Sequence, residues 1–166
     1  MDENSRRLTE IHITQARSKA LHLFAFTSTV LPSEWTPVWN ELVLPYLVEF
    51  GFHARKVNEF CGFGDEVFPP IDSMLVKITE GDPGDWQHCY QYALNALMHA
   101  NSLVLGYAHA DHRQIFKNSK ANINILYVQA TTDRFPKVSI SVYGLVDCFL
   151  NQVIPKIKKE RLGLNF

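Results

Sequence analysis

The densest group of chemically active side chains lies between Tyr107 and Arg113. It contains imidazoles at His109 and His112, a carboxylate at Asp111 and the guanidinium of Arg113. An imidazole with a pKa near neutral pH can move a proton, and a fixed guanidinium can hold a phosphate group. These residue types together fit chemistry on a phosphodiester.

A third helix, predicted from the helical spacing of apolar residues, would align this segment with other polar residues. The predicted helix begins near Asp85 and continues through Arg113. Its polar side chains fall within an arc of roughly 80°, opposite the apolar ones. The residues of this arc are Asn95, His99, Ser102, Gly106, His109 and Arg113. We assign His109, Arg113 and His99 as candidate catalytic residues. Every amphipathic helix has a solvated side, so the same residues also fit a helix without a catalytic role.

A metal site is a second interpretation of the same segment. The spacing is similar to the HxHxDH motif of metallo-β-lactamase-like hydrolases, but Tyr107 stands where the first ligand would be. No histidine follows His112 to complete a coordination sphere. We therefore expect no metal and no other cofactor. If a metal binds, its ligands would be His109, Asp111 and His112, because imidazole and carboxylate suit zinc.

Composition and charge predict a single globular domain, residues 1–166, in the cytoplasm. The chain is 46% hydrophobic and 20% charged, and no apolar run reaches the roughly 18 residues that would suggest a membrane span.

The charges are distributed unevenly along the chain. Residues 1–112 carry 7 Lys/Arg and 14 Asp/Glu, whereas residues 113–166 carry 9 and 3. The two halves can neutralise each other within one domain, or the basic half can bind an anionic partner such as RNA. Lys117 and Lys120 in this half, together with Arg55, are candidate substrate-binding residues.

The periodicity of apolar residues predicts a mainly α fold. Helical spacing extends over residues 5–31 and 36–61, continues from residue 85, and returns from residue 145. Alternating apolar and polar residues predict a β-hairpin at about residues 123–142. The expected architecture is a four-helix bundle-like domain with a β-hairpin before the C-terminal helix.

Two stretches resemble the HEPN superfamily of small helical proteins. Residues 52–60, FHARKVNEF, are similar to the end of the second helix in some HEPN-like families, and residues 108–111, AHAD, are similar to the region around the catalytic histidine. Active members carry an arginine four to six residues before that histidine, and the pair cuts RNA at a dimer interface without a metal. Residues 103–105 contain no arginine here, and Arg55 and Arg113 are the candidates to replace it.

The resemblance implies a divergent or non-catalytic member of this superfamily. Such a protein would form a homodimer through an apolar helix face and bind RNA or a partner protein, in a defence or toxin–antitoxin type system. The alternative is a metal-independent ribonuclease, or a small metal-dependent hydrolase that uses the segment from His109 to Arg113. The sequence leaves open whether the chain is an enzyme.

A second location for chemistry follows if helices two and three are neighbours. Arg55 and Glu59 would then approach His99 or His109 across a cleft. A glutamate beside an imidazole would raise the histidine's pKa and fix its tautomer. Alternatively, Arg55 and His53 hydrogen-bond to the loop at residues 62–70.

Overall fold

The structure is a computed structural model that describes residues 2–68, 84–110, 121–134, 136–160 and 164–166. Its principal helices are α1 (Glu3–Ser28), α2 (Thr36–Cys61), α3 (Tyr90–Met98), α4 (Val142–Cys148) and α5 (Ile154–Glu160). Its strands are β1 (Leu31–Pro32), β2 (Asp85–Trp86), β3 (Ser102–Ala110), β4 (Ala121–Thr131) and β5 (Val138–Ser141). A π-helical segment, Phe149–Val153, joins α4 to α5 into one C-terminal helix.

Helices α1 and α2 are those that the sequence predicts, and their ends have clear local causes. The carboxylate of Asp2 accepts a hydrogen bond from the backbone N–H of Ser5 and caps α1. Pro37 lies in the first turn of α2, where its missing N–H has no cost. Gly62 ends α2 with a φ of 72°, a left-handed conformation that glycine adopts without strain.

The prediction of one long third helix is wrong. Helix α3 ends at Met98, and residues 102–110 form strand β3. Leu103, Leu105 and Tyr107 alternate along this strand, and Leu105 is buried in the core while Val104 is 56% exposed. These side chains fit a pleated surface, and the adjacent β4 supplies the backbone hydrogen-bonding partners of this strand.

The sheet is organised around β4. Strand β3 pairs antiparallel with β4 along its whole length, on one edge. The other edge of β4 is paired with β1 near its start and with β5 near its end, both antiparallel, and β2 adds to β5 in parallel. The β4–β5 pair is the predicted hairpin, and it belongs to a sheet of five strands in the described part of the chain.

One hydrophobic core joins the helices to the sheet. The rings of Phe50 in α2 and Phe149 in the C-terminal helix meet edge to face at 5.5 Å, and Ile13, Leu94 and Ile140 bring α1, α3 and β5 into the same cluster. The fold is therefore mainly α, as the sequence predicts. If α4 and α5 are counted as one helix, the described residues contain four principal helices. Within the described ranges, no helix has the length and apolar character needed to cross a bilayer.

Candidate functional site

The structure separates the residues that were predicted to share one helix side. His99 is the residue that follows α3, whereas His109 lies in β3 opposite Asn122 of β4. The polar arc on a continuous helix therefore does not exist. Several predicted site residues lie outside the described residues: Asp111, His112, Arg113, Lys117 and Lys120.

Arg55 and His99 do come together, because α2 and α3 are neighbours. The guanidinium nitrogen Nη1 of Arg55 lies 3.1 Å from Nε2 of His99. A guanidinium only donates hydrogen bonds, so Nε2 must accept and the proton of the neutral ring must be on Nδ1. The contact therefore makes Nε2 of His99 a fixed acceptor for the guanidinium.

Glu59 binds the same guanidinium from the next turn of α2. Nε of Arg55 donates to Oε1 of Glu59 at 3.0 Å, and Nζ of Lys56 donates to Oε2 at 2.6 Å. The hydrogen bond from Lys56, together with the positive charges of Lys56 and Arg55, lowers the pKa of Glu59. Glu59 thus orients Arg55, and Arg55 in turn contacts the imidazole. Among the described residues, the hydrogen bonds of Arg55 go to Glu59 and His99, and residues 62–68 of the loop take no part in them.

Two further imidazoles meet between α1 and α2: that of His12, which no sequence pattern pointed to, and that of His53, which was expected beside the loop at residues 62–70. Nδ1 of His12 lies 2.8 Å from Nδ1 of His53, so one ring must carry the shared hydrogen and the other must accept it. Burial lowers the pKa of both histidines. The rings of Phe52 and Phe60 lie 5.8 Å from that of His12 and cover part of the pair.

The antiparallel packing of α1 and α2 explains why these residues meet. His12 contacts His53, Lys19 forms an ion pair with Glu49, and Phe26 contacts Trp39. As the residue number rises along α1, the number of the contacted residue in α2 falls, so the two helices are antiparallel. The register between the two helices, which decides this pairing, could not be obtained from the sequence.

A row of amides beneath this region fixes α3 against α2. Asn58 is fully buried, and its Nδ2 donates to Oε1 of Gln91 at 2.7 Å. Nε2 of Gln91 donates to Oδ1 of Asn95 at 3.4 Å, one turn before His99. A buried amide without a hydrogen-bond partner destabilises the fold. These hydrogen bonds therefore favour the alignment of α2 and α3 that brings Arg55 to His99.

We call the residues His12, His53, Arg55, Lys56, Glu59 and His99 the α2 polar cluster. It combines two permanent cations and three imidazoles with one carboxylate. In the part of the chain that the structure describes, no three His, Cys, Asp or Glu residues are grouped so as to hold a metal ion. The cluster has an excess of positive charge and offers N–H donors, which suits it to binding an anion.

Comparisons with protein-family models, curated proteins and solved structures found no match to this chain. The geometry of the α2 polar cluster is therefore the basis for a functional interpretation.

Proposed function

We propose that the chain is a divergent, HEPN-like RNA-binding module that holds the phosphate backbone at the α2 polar cluster. The observation that carries the proposal is the contact between the guanidinium of Arg55 and the ring of His99, with Glu59 on the other side of Arg55. A guanidinium held from two sides loses little conformational freedom when it binds a phosphate.

The hydrogen-bonding capacity of Arg55 supports this role. A guanidinium has five N–H groups, and in the described chain the bonds to Glu59 and His99 use one on Nε and one on Nη1. N–H donors therefore remain on the two Nη nitrogens, and a guanidinium can form two parallel bonds to phosphate oxygens with such donors. Lys56, the next residue, adds a second positive charge that a phosphate can approach.

The same geometry favours binding over cleavage. Cleavage of RNA by imidazoles requires a ring nitrogen that can take a proton from the attacking hydroxyl. In His99 the nitrogen with the lone pair, Nε2, is already hydrogen-bonded to Arg55. The ring thus serves as an acceptor that positions the guanidinium.

A metal-independent ribonuclease is the second candidate function. What favours it is that Arg55 supplies, from another helix, an arginine beside an imidazole, although residues 103–105 carry none. In this alternative, His99 exchanges its bond with Arg55 for a bond with the substrate, while Arg55 stabilises the charge that develops on the phosphate.

Binding of a fluorescently labelled single-stranded RNA, followed by anisotropy over a range of salt concentrations, tests the proposal. Arg55→Ala should raise Kd about tenfold and reduce the slope of log Kd against log salt by about one, since one phosphate contact is lost. Arg6→Ala is the matched control, because Arg6 also pairs with a glutamate four residues later, at Glu10. Equal effects of the two substitutions would overturn the proposal.

The two candidate functions are separated by incubating the protein with RNA in the presence of EDTA. The binding module leaves the RNA intact, and the ribonuclease cuts it. Cleavage that disappears in His99→Ala but persists in His22→Ala, on α1, would establish the second function in place of the first.

The proposal also includes the partner and location that the sequence and the resemblance imply. We propose a homodimer formed through an apolar helix face, located in the cytoplasm where RNA is present. Large apolar side chains that remain exposed at the start of α2 support the dimer. A partner protein in place of RNA is the outcome to consider if the RNA titrations show no binding.

A further inference from the structure

An exposed aromatic ring lies beside the two cations of the α2 polar cluster. Phe52 is 42% exposed, so part of its ring is open to a ligand. It precedes Arg55 by three residues and Lys56 by four, so all three side chains project from adjacent turns of α2. A ligand that meets the cations therefore also meets this ring.

The ring of Phe52 is held in place by the histidine pair. It contacts the ring of His12 at 5.8 Å and 64°, and the ring of His53 at 5.2 Å and 76°. Both contacts are close to edge-on, the arrangement in which aromatic quadrupoles attract. A ring fixed in this way is already oriented when a flat ligand stacks on it.

The charges around the cluster limit what electrostatics alone can do. On the adjoining part of α1, Arg6 pairs with Glu10 and Lys19 pairs with Glu49. Within the cluster, Glu59 offsets part of the charge of Arg55 and Lys56. Arg55 and Lys56 together can therefore neutralise only a few phosphates, whereas binding of a duplex through its backbone depends on many such contacts.

From this combination we propose that Phe52 is a stacking platform for one unpaired base of single-stranded RNA, next to phosphates held by Arg55 and Lys56. The inference rests on the proposed RNA-binding function and defines the form of RNA that the site accepts. Aromatic side chains add affinity for single strands because any exposed base has a face that can stack, whereas paired bases are already stacked.

Anisotropy titrations with one labelled RNA, as a single strand and annealed to its complement, test this inference. The single strand should bind more tightly than the duplex. Phe52→Ala should raise the Kd of the single strand about tenfold, in line with the loss of one stacked base. The slope of log Kd against log salt should stay as in the unmodified protein, since no charge is removed.

Two further variants keep the result interpretable. Phe52→Trp retains an aromatic ring and should preserve binding, which separates stacking from a loss of fold. Val48→Ala removes another exposed apolar side chain one turn earlier on α2, and should leave binding unchanged.

The outcomes distinguish the inference from the function on which it rests. Equal binding of single strand and duplex, or an unchanged Kd in Phe52→Ala while Arg55→Ala still weakens binding, would overturn the stacking role alone. An absence of binding to either form of RNA would overturn both.

Discussion

The burial of His12 and His53 makes the stability of the fold depend on pH. Both pKa values are lowered by burial, and each histidine also lies near a cation, Lys56 for His12 and Lys19 for His53. Glu59 and Glu49 oppose these shifts without cancelling them. Below the unfolded pKa of about 6.5 the unfolded chain thus binds more protons than the folded chain.

The free energy of unfolding should accordingly be greatest above that pKa and should fall as the pH drops through the lowered pKa values of the two rings. Chemical denaturation at a series of pH values measures it. In His12→Gln the decrease should be smaller, because only one desolvated imidazole is left to protonate. Gln15→Ala, at an exposed position of α1, should retain the original pH dependence. A pH profile of His12→Gln identical to that of the unmodified protein would contradict this prediction.

Gly106 in β3 makes space for an aromatic ring of the adjacent strand. A Cβ atom at this position would overlap the ring of Tyr127, its partner in β4. We expect Gly106→Ala to reduce the free energy of unfolding by about 1–3 kcal/mol through overpacking. In a Tyr127→Ala background the same change should have little effect. Gly51→Ala is the control, since its Cβ would meet Leu97 at an ordinary 3.5 Å.

The individual site residues were predictable to different degrees. Arg55 and His99 could be proposed as neighbours, because each lies in a segment predicted to be a helix with a recognisable apolar side, and two such helices can pack together. The bond of Arg55 to His99 was not foreseen in its chemical form, since the sequence suggested that Glu59 would touch the imidazole. The His12–His53 pair depends on the register between two helices, which is set by packing along their whole length and not by any short motif.

The helices whose apolar residues follow one clear periodicity were predicted correctly. Strand β3, whose apolar residues fit two periodicities, was predicted as a helix. Apolar positions in α1 and α2 repeat over 26 residues each, which leaves no alternative to a helix. In the segment around β3, Leu97, Val104 and Tyr107 fit a helical period, while Leu103, Leu105 and Tyr107 fit a period of two. The pairing of β3 with β4 decides between these patterns, and that pairing is a tertiary interaction.

The left-handed backbone conformation that ends α2 contributes to stability in a way that a substitution can test. Gly62 has a left-handed conformation, and the N–H groups of Gly62 and Phe63 bond to carbonyl groups of the last turn. Gly62→Ala should reduce the free energy of unfolding by about 1–2 kcal/mol, the cost of this conformation for a residue with a Cβ. Thermal denaturation measures the change.

Gly64 provides the matched control for this substitution. It lies two residues later, its φ is not in the left-handed region, and a Cβ there would have open space. Gly64→Ala should therefore be neutral or slightly stabilising, because alanine restricts the unfolded chain. Equal losses from the two substitutions would contradict the role assigned to the left-handed backbone.

The separation of charge along the chain is reflected in contacts between its two halves. Lys156 of the C-terminal helix pairs with Glu66 at 3.1 Å, and the backbone N–H of Asn165 donates to Glu10 of α1 at 2.9 Å. One basic residue of the second half thus meets an acidic residue of the first, and an uncharged backbone group of the second half meets another. These contacts favour mutual neutralisation as the reason for part of the asymmetry, so an RNA partner must be argued from the α2 polar cluster and not from the net charge of one half.

The start of α2 carries the apolar surface on which the proposed homodimer can be tested. Trp35, Val38 and Leu42 are 59%, 60% and 47% exposed, and their spacing puts them on one side of the chain. Burying such side chains against a second copy removes apolar area from water, which is the usual driving force for a dimer. Leu42→Glu should therefore shift the molecular mass measured by sedimentation equilibrium from dimer to monomer. Leu21→Glu alters an equally exposed leucine on α1 and should leave the dimer intact. A monomeric unmodified chain at every concentration measured would refute the dimer, while leaving the Arg55–His99 site open to the RNA titrations.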